Sequence, residues 1–318
     1  MDEQELHRLI VGPLVSETSI EMARHQHIAH YTTTANLLSM LQSNELWLSN
    51  VMAMNDIAEI RGAASAIERR YFERRESFTD AERPFLDQLH FALGKLYREA
   101  WSQTYALSFS AHDLVADSEG RLSMWRAYSG DGDGVCLVLK RRNLMRDEEL
   151  DFPVLSIPMR YETQDQFLLR VGKMVSHARD VFDKNREFCL SLGDPRLAEI
   201  LASALVMMAI SHKHTGFSEE KELRLFHIKE HMPFDLDGIR YDAVPSGRIA
   251  KPVLRVKIQD YASIGLFDTK FSDFLEEVIV GPSVHSEIQR EAVRLALDKQ
   301  DLHRVPVRQS SIPYRAPR

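Results

Sequence analysis

Four groups of polar side chains fall where strands should end or turns should tighten, the places where catalytic groups gather on a rigid scaffold. They are His30-Tyr31-Thr32-Thr33; Ser49-Asn50 followed by Asn55-Asp56 and Glu59; Ser108-Phe109-Ser110 with Trp125 and Tyr128 shortly after; and Glu219-Glu220-Lys221-Glu222-Leu223-Arg224. Imidazole, hydroxyl and carboxylate groups carry proton transfer and the stabilisation of developing charge. Asp56, Glu59 and Glu222 could instead converge their oxygens on a divalent metal.

Each group also has a structural role open to it. A strand-end His30 can bond a backbone carbonyl. Asn55-Asp56 suits a helix N-cap, and Ser108 and Ser110 suit strand residues bonded to backbone. Trp125 and Tyr128, at helical spacing, suit a core. Glu220 and Glu222, two residues apart on a strand, would share one side of it, commonly a solvated edge. It is the order of the four groups along one chain that points to a site. His227-Ile228-Lys229-Glu230-His231 fits the inverted zincin pattern, which needs a helix. It continues an alternating strand pattern and runs into Met232-Pro233, so the zinc reading is set aside. His25, His27, His212 and His214 lack diagnostic carboxylate spacing, and Lys140-Arg141-Arg142 with Arg146 reads as a solvated face. No phosphate-binding glycine loop is present.

The elements that must hold these groups can be read from periodicity. Leu6, Leu9 and Ile10 predict one face of an N-terminal helix. A strand over Ile28–Tyr31, a helix capped by Thr34 with Leu37, Leu38 and Leu41 on its apolar stripe, and a strand at Leu46-Trp47-Leu48 form a compact unit. Residues from about 57 to 100 read as helical, with a capping-box pattern from Thr79 to Glu82. A strand over Tyr105–Ser110, a short helix carrying Met124, Trp125 and Tyr128, and a glycine-rich turn at Gly130–Gly134 lead into a strand at Val135–Leu139. Val154–Tyr161 is expected as one strand. Gln164–His212 is expected as a helical hairpin broken at Gly193-Asp194-Pro195. Strands follow at Leu223–Ile228, Ile249–Ile258, Val278–Gly281 and Val305–Val307, with a helix over His285–Asp298.

Composition narrows the class. The 318 residues are 44% hydrophobic and 27% charged, ordinary for a globular chain and unlike a disordered one. A net charge of -7 gives bulk electrostatics no pull on nucleic acid. Cys136 and Cys189 are too few for a disulfide framework or a cysteine-based zinc site, and their apolar neighbours mark them as small buried hydrophobes. The opening Met-Asp-Glu-Gln-Glu-Leu is acidic, unlike a signal peptide. The apolar run Leu197–Ile210 is too short to span a bilayer and reads as a core helix. The expected setting is a reducing cytoplasm, with no membrane partner.

Taken in order, these landmarks resemble the bacterial family known as domain of unknown function 2971. The resemblance rests on Leu46-Trp47-Leu48-Ser49, Asn55-Asp56 with Glu59, Leu107–Ser110, Met124-Trp125 with Tyr128, Gly134–Leu137, Glu220 with Glu222 and Arg224, Val278–Pro282, and Ser311–Arg315. Ile57 stands where that family has proline after Asn-Asp, and Leu223 where it has tryptophan. A second resemblance is to the ADP-ribosyltransferase superfamily. His30-Tyr31-Thr32-Thr33 with its capped helix is similar to the superfamily's opening, Ser108-Phe109-Ser110 to its Ser-Thr-Ser strand, and Glu220-Lys221-Glu222 to its Glu-x-Glu.

What these resemblances imply is an α+β fold: a single domain over 1–318, with a central strand-rich ADP-ribosyltransferase-like core and helical insertions about 57–101 and 164–212. The implied activity is NAD-dependent ADP-ribosyl transfer or NAD glycohydrolysis, in a toxin or antiphage defence effector. Glu222 would stabilise the oxocarbenium formed as the nicotinamide–ribose bond breaks, and Glu220 would serve the acceptor. His30, Tyr31, Thr32, Asn55, Ser108, Ser110, Trp125, Tyr128 and Arg224 would bind NAD, the tyrosines and tryptophan by stacking. The acceptor, protein or nucleic acid, and any homo-oligomer stay open. Two other classes compete: a metal-dependent nuclease or nucleotide hydrolase using Asp56, Glu59 and Glu222, and a non-catalytic ligand-sensing or protein-interaction module.

Overall fold

Val135-Cys136-Leu137-Val138-Leu139 is apolar at every position, the pattern of a strand covered on both faces. In the computed structural model each of these residues is buried, and the strand lies inside a large sheet. The structure describes residues 1–318 apart from 55–56, 81, 130–133, 145–153, 230–233, 247–248 and 314–318. Asn55-Asp56, most of the glycine-rich turn, Arg146, Glu230-His231 and Tyr314-Arg315 therefore lie outside the described residues.

The strands, in chain order, are β1 His27–Thr33, β2 Glu45–Asn50, β3 Thr104–His112, β4 Gly134–Lys140, β5 Leu155–Pro158 and β6 Arg160–Tyr161. They continue with β7 His212–Lys213, β8 Glu222–Ile228, β9 Ile239–Ser246, β10 Ile249–Lys257, β11 Leu275–Val280 and β12 Val307–Gln309. The α-helices are α1 Glu3–Ala23, α2 Thr34–Ser43, α3 Ile57–Ile67, α4 Arg83–Gln103, α5 Leu122–Tyr128 and α6 Arg141–Leu144. After them come α7 Gln164–Lys184, α8 Arg186–Leu192, α9 Asp194–Ile210, α10 Phe271–Phe274 and α11 Ser286–Asp298.

The chain divides into two compact units. The first comprises Met1–Ile20, Val51–Thr104 and Pro158–Ser218, and the two helical stretches expected over about 57–101 and 164–212 lie within its ranges. Here α9 is the central element. Leu197, Ile200, Leu201, Leu205, Met208 and Ile210 are all buried, which is why the run lacks an amphipathic period. α7 opens on a capping box in which Thr163 and Gln166 exchange side-chain and backbone bonds. Leu6 and Ile10 of α1 are buried as their spacing requires, whereas Leu9 is exposed. No described helix is long and apolar enough to cross a membrane.

The second unit comprises Glu21–Asn50, Tyr105–Ile157 and Glu219–Arg318. Its mixed sheet runs β12-β11-β4-β1-β3-β2-β10-β9, with β8 pairing both β3 and β5. β11 and β12 are parallel, while β1 is antiparallel to both β3 and β4. β3 is the hub. β1 meets it at Ser110, Ala111 and His112, and β2 meets it at Tyr105 and Ala106. Ile28, Leu48, Leu107, Phe109, Leu137, Leu223, Leu225, Leu254 and Val280 share one apolar core. Ala29, Tyr31, Cys136, Val138 and Ile279 form a second cluster with Trp125. Strand alternation separates the two sets, since neighbouring residues point to opposite faces.

Three expectations need correction. The N-cap of α2 is Thr33, whose hydroxyl accepts from Asn36 N at 3.2 Å, and Thr34 is the first helical residue. Residues 154–161 do not form one strand: β5 joins β8, while β6 pairs β7 in a separate two-stranded sheet. β9 lies over residues where the sequence signals no strand, its Asp242 and Arg240 bonded to Arg255 and Glu45 respectively.

Candidate functional site

β3 and β8 are paired, and each alternates between core and polar positions. Leu107, Phe109 and Ala111 of β3 share their core with Leu223 and Leu225 of β8. The intervening residues, Ser108 and Ser110 on β3 and Glu222 and Arg224 on β8, therefore lie together on the opposite face. Four of the residues singled out by sequence are thus brought together.

Glu222 and Arg224 form a buried pair, 4% and 2% exposed. Arg224 donates from Nε to Glu222 Oε1 at 2.6 Å and from Nη2 to Oε2 at 3.0 Å. This two-pronged match of a planar guanidinium to a carboxylate holds both groups charged and fixed. Glu220 does not join Glu222 on the strand as its spacing suggested. It ends a 3-10 helix, and Lys221, at φ 44°, turns the backbone left-handed before β8 begins. That left-handed residue breaks the alternation; the Lys221 carbonyl then accepts from Ala111 N at 2.8 Å.

Ser110 and Ser108 differ. The Ser110 hydroxyl donates to the Glu220 carbonyl and accepts from Arg121 Nη1 at 2.6 Å. Ser108 Oγ is buried and has no hydrogen-bond partner among the described residues.

Arg121 is the residue the sequence reading missed. Its guanidinium clasps Asp117, Nε to Oδ1 at 2.9 Å and Nη2 to Oδ2 at 2.6 Å, and also reaches the Ala111 carbonyl. Burial alone would raise the Asp117 carboxyl; the bonds from Arg121 and from Asp113 N together hold it below its ordinary range. Asp117 and Arg121 stand four residues apart, the ion-pair spacing that could have flagged them.

His30 lies where β1 leaves β3. Their ladder ends at Ala29 opposite Ser110. Beyond it, His30 Nδ1 bonds the Ser108 carbonyl at 2.9 Å, in place of a backbone partner. A carbonyl only accepts, so this nitrogen carries the proton. Burial pulls the His30 pKa below its ordinary value, and the bond to Ser108 opposes this. By alternation His30 follows Ile28 on the core side, where its ring meets Phe109 at 5.5 Å between centroids. It therefore touches the Ser108 backbone without sharing the face of Glu222.

The stacking roles expected of Tyr31 and Trp125 are not available. Trp125 is fully buried and Tyr31 6% exposed, their rings edge to face at 4.9 Å. The Tyr31 hydroxyl accepts from Arg121 N at 2.9 Å, and Trp125 Nε1 donates to the Glu119 carbonyl at 3.1 Å. Tyr128 is half-buried against the same cluster. Thr32 is buried and accepts from Asn36 Nδ2 at 2.9 Å, so it secures the start of α2. The carboxy-terminal segment closes this region: Ser310 donates to the Glu119 carbonyl, and Ser311 N donates to the Glu119 carboxylate. His227 sits on β8, fully buried and bonded to the Tyr241 hydroxyl at 2.6 Å, on a strand as its alternating context required.

The second unit thus defines a class: a mixed α and β protein whose central strand pair presents hydroxyls beside a buried glutamate–arginine pair. A family model described as protein of unknown function (DUF2971) matches residues 124–225, about a third of the chain, from α5 through Leu225 of β8. That range holds Trp125, Tyr128, Glu220, Glu222 and Arg224, and it supports the likeness to this family. Neither a curated protein nor a solved structure matches.

Proposed function

We propose that the chain is an NAD-consuming ADP-ribosyltransferase or glycohydrolase, working from the polar face of β3 and β8 on an ADP-ribosyltransferase-like core. The observation that supports this is the placement of Ser108, Ser110, Glu222 and Arg224 on one face of paired strands. Breaking the nicotinamide–ribose bond sends the electron pair to nicotinamide and leaves positive charge on the ribose. Glu222, kept ionised by Arg224, is the carboxylate to stabilise that charge, a contact worth about 3 kcal/mol when preorganised. The Ser108 hydroxyl, without a partner among the described residues, fits a ribose or carboxamide group, since a buried hydroxyl left unsatisfied costs stability. Glu220 takes the proton from the attacking acceptor, which then adds to the ribose carbon. His30 is a positioning residue that fixes where β1 parts from β3. Consumption of NAD would suit a toxin or antiphage effector in the cytoplasm.

A second reading, a ligand-sensing module without catalysis, is favoured by the pairing of both Glu222 oxygens with Arg224. Catalysis requires that pair to open; sensing does not. For the metal-dependent nuclease reading, no described group of three histidine, cysteine, aspartate or glutamate side chains could hold a metal. The Asp56 and Glu59 side chains lie outside the described residues.

Purified protein mixed with NAD is expected to release nicotinamide, and Glu222→Gln to release none while its circular dichroism stays native. No release by the wild type, or equal release by the variant, overturns the catalytic reading.

A further inference from the structure

A cleft of about 470 Å³ opens in the second unit, and neither Glu222 nor Arg224 lines it. Its walls come from the segment leading into β1, the end of β3 with the turn after it, and the left-handed Lys221. Arg24, His25, His27, His112, Arg121 and Lys221 line it.

The chemistry of the cleft follows from which of its groups are already committed. Its two carboxylates are spent. Asp113 Oδ1 accepts from Val115 N and Ala116 N at 2.9 and 2.8 Å, and Asp117 is clasped by Arg121. Arg24 is partly engaged by Glu21 at 2.8 Å. Lys221 is exposed, and its ammonium has no partner among the described residues. His112 is 6% exposed, yet its Nε2 has no hydrogen-bond partner among the described residues. A buried polar atom without a partner is costly, and a native site keeps one when something else supplies the bond. What remains is an ammonium, part of a guanidinium and the imidazoles of His27 and His112, since His25 faces Glu21 at 4.0 Å. Burial holds His25 below its ordinary pKa; the Glu21 charge opposes this, and the Lys221, Arg141 and Arg121 charges add to it.

We propose that this cleft binds a phosphorylated small molecule of nucleotide size, its phosphate against Lys221 and the buried His112 Nε2. The volume lies within the range of small-ligand sites, about 300–1,000 Å³. A phosphate supplies acceptors for the ammonium and for a protonated ring nitrogen; Arg121 offsets the charge of Asp117, and the cleft's cations must outweigh that of Asp113. The inference does not rest on NAD cleavage: phosphate binding here without nicotinamide release upholds it and sinks the other.

The test is calorimetric titration of the full chain with inorganic phosphate, adenosine 5′-monophosphate and adenosine, alongside ¹⁵N spectra of the histidine rings. Lys221→Asn is the informative variant, because asparagine tolerates the positive φ while removing the ammonium. Binding of the monophosphate, alone or together with inorganic phosphate, with a His112 ring shift, supports the site. Lys221→Asn should weaken that binding about tenfold or more, the loss of one charge-assisted bond. Three results overturn it: no binding of either phosphate, adenosine binding as well as its monophosphate, or unchanged affinity in Lys221→Asn. Should that variant lose its fold by circular dichroism, an unmoved His112 resonance in the wild type overturns the proposal by itself.

Discussion

Arg224 and Glu222 hold each other in a two-pronged ion pair that is almost closed to solvent. Removing one partner leaves the other charged and buried, at a cost of about 3–5 kcal/mol, whereas an apolar pair of similar volume is often neutral. Arg224→Met is therefore expected to lower the urea midpoint sharply, and Arg224→Met with Glu222→Leu to recover most of the loss. A double variant no more stable than the single would show that the pair is not isolated energetically.

Ser108→Ala separates structure from function. Deleting a buried hydroxyl that has no partner should leave stability unchanged or raise it by up to about 1 kcal/mol. Nicotinamide release should nevertheless fall, since the hydroxyl is assigned to the ligand. Loss of stability on urea unfolding would mean that Ser108 has a structural partner.

Gly120 sits at φ 71°, and a Cβ there would lie 2.6 Å from the Trp125 ring. Left-handed backbone and overlap act together, so Gly120→Ala should destabilise by more than the usual 1–3 kcal/mol, roughly, of overpacking. Trp125→Ala should cost about 3–5 kcal/mol through the cavity it leaves. Thermal unfolding measures both.

Acid should loosen the second unit before its carboxylates titrate. Burial lowers the pKa of His30 and of His112 beneath the ordinary 6.5. The unfolded chain then binds more protons than the fold between the lowered values and 6.5, so stability is lost as pH falls through that window. Asp117, also lowered, adds its own loss only as pH falls below its ordinary 3.8. Urea midpoints between pH 7.5 and about pH 5 should decline. His30→Gln should flatten the decline, and an unaltered slope would exclude His30 as a source.

Much of the sheet was legible because burial writes itself into composition. The apolar run at 135–139 and the alternation at 223–228 each declare a strand. The polar face was legible in part: Ser108, Ser110, Glu222 and Arg224 sit at period two on strands that pair. Glu220 misled because nothing in its spacing reveals that Lys221 adopts a left-handed backbone. Trp125 and Tyr31 read equally well as stackers or core, and only tertiary packing separates those roles. Arg121 escaped notice because, beyond its four-residue spacing to Asp117, its partners include the Ala111 and Glu220 carbonyls, backbone groups that carry no sequence signature. β9 was missed for a related reason: it alternates charged residues that find ion-pair partners on β2 and β10.

The contacts from Ser310 and Ser311 to Glu119 have a practical corollary for anyone handling this protein. Residues that look like a dispensable tail act as a latch over the turn that seats Trp125. Trimming back past residue 310 should unseat the indole and brighten or shift its fluorescence.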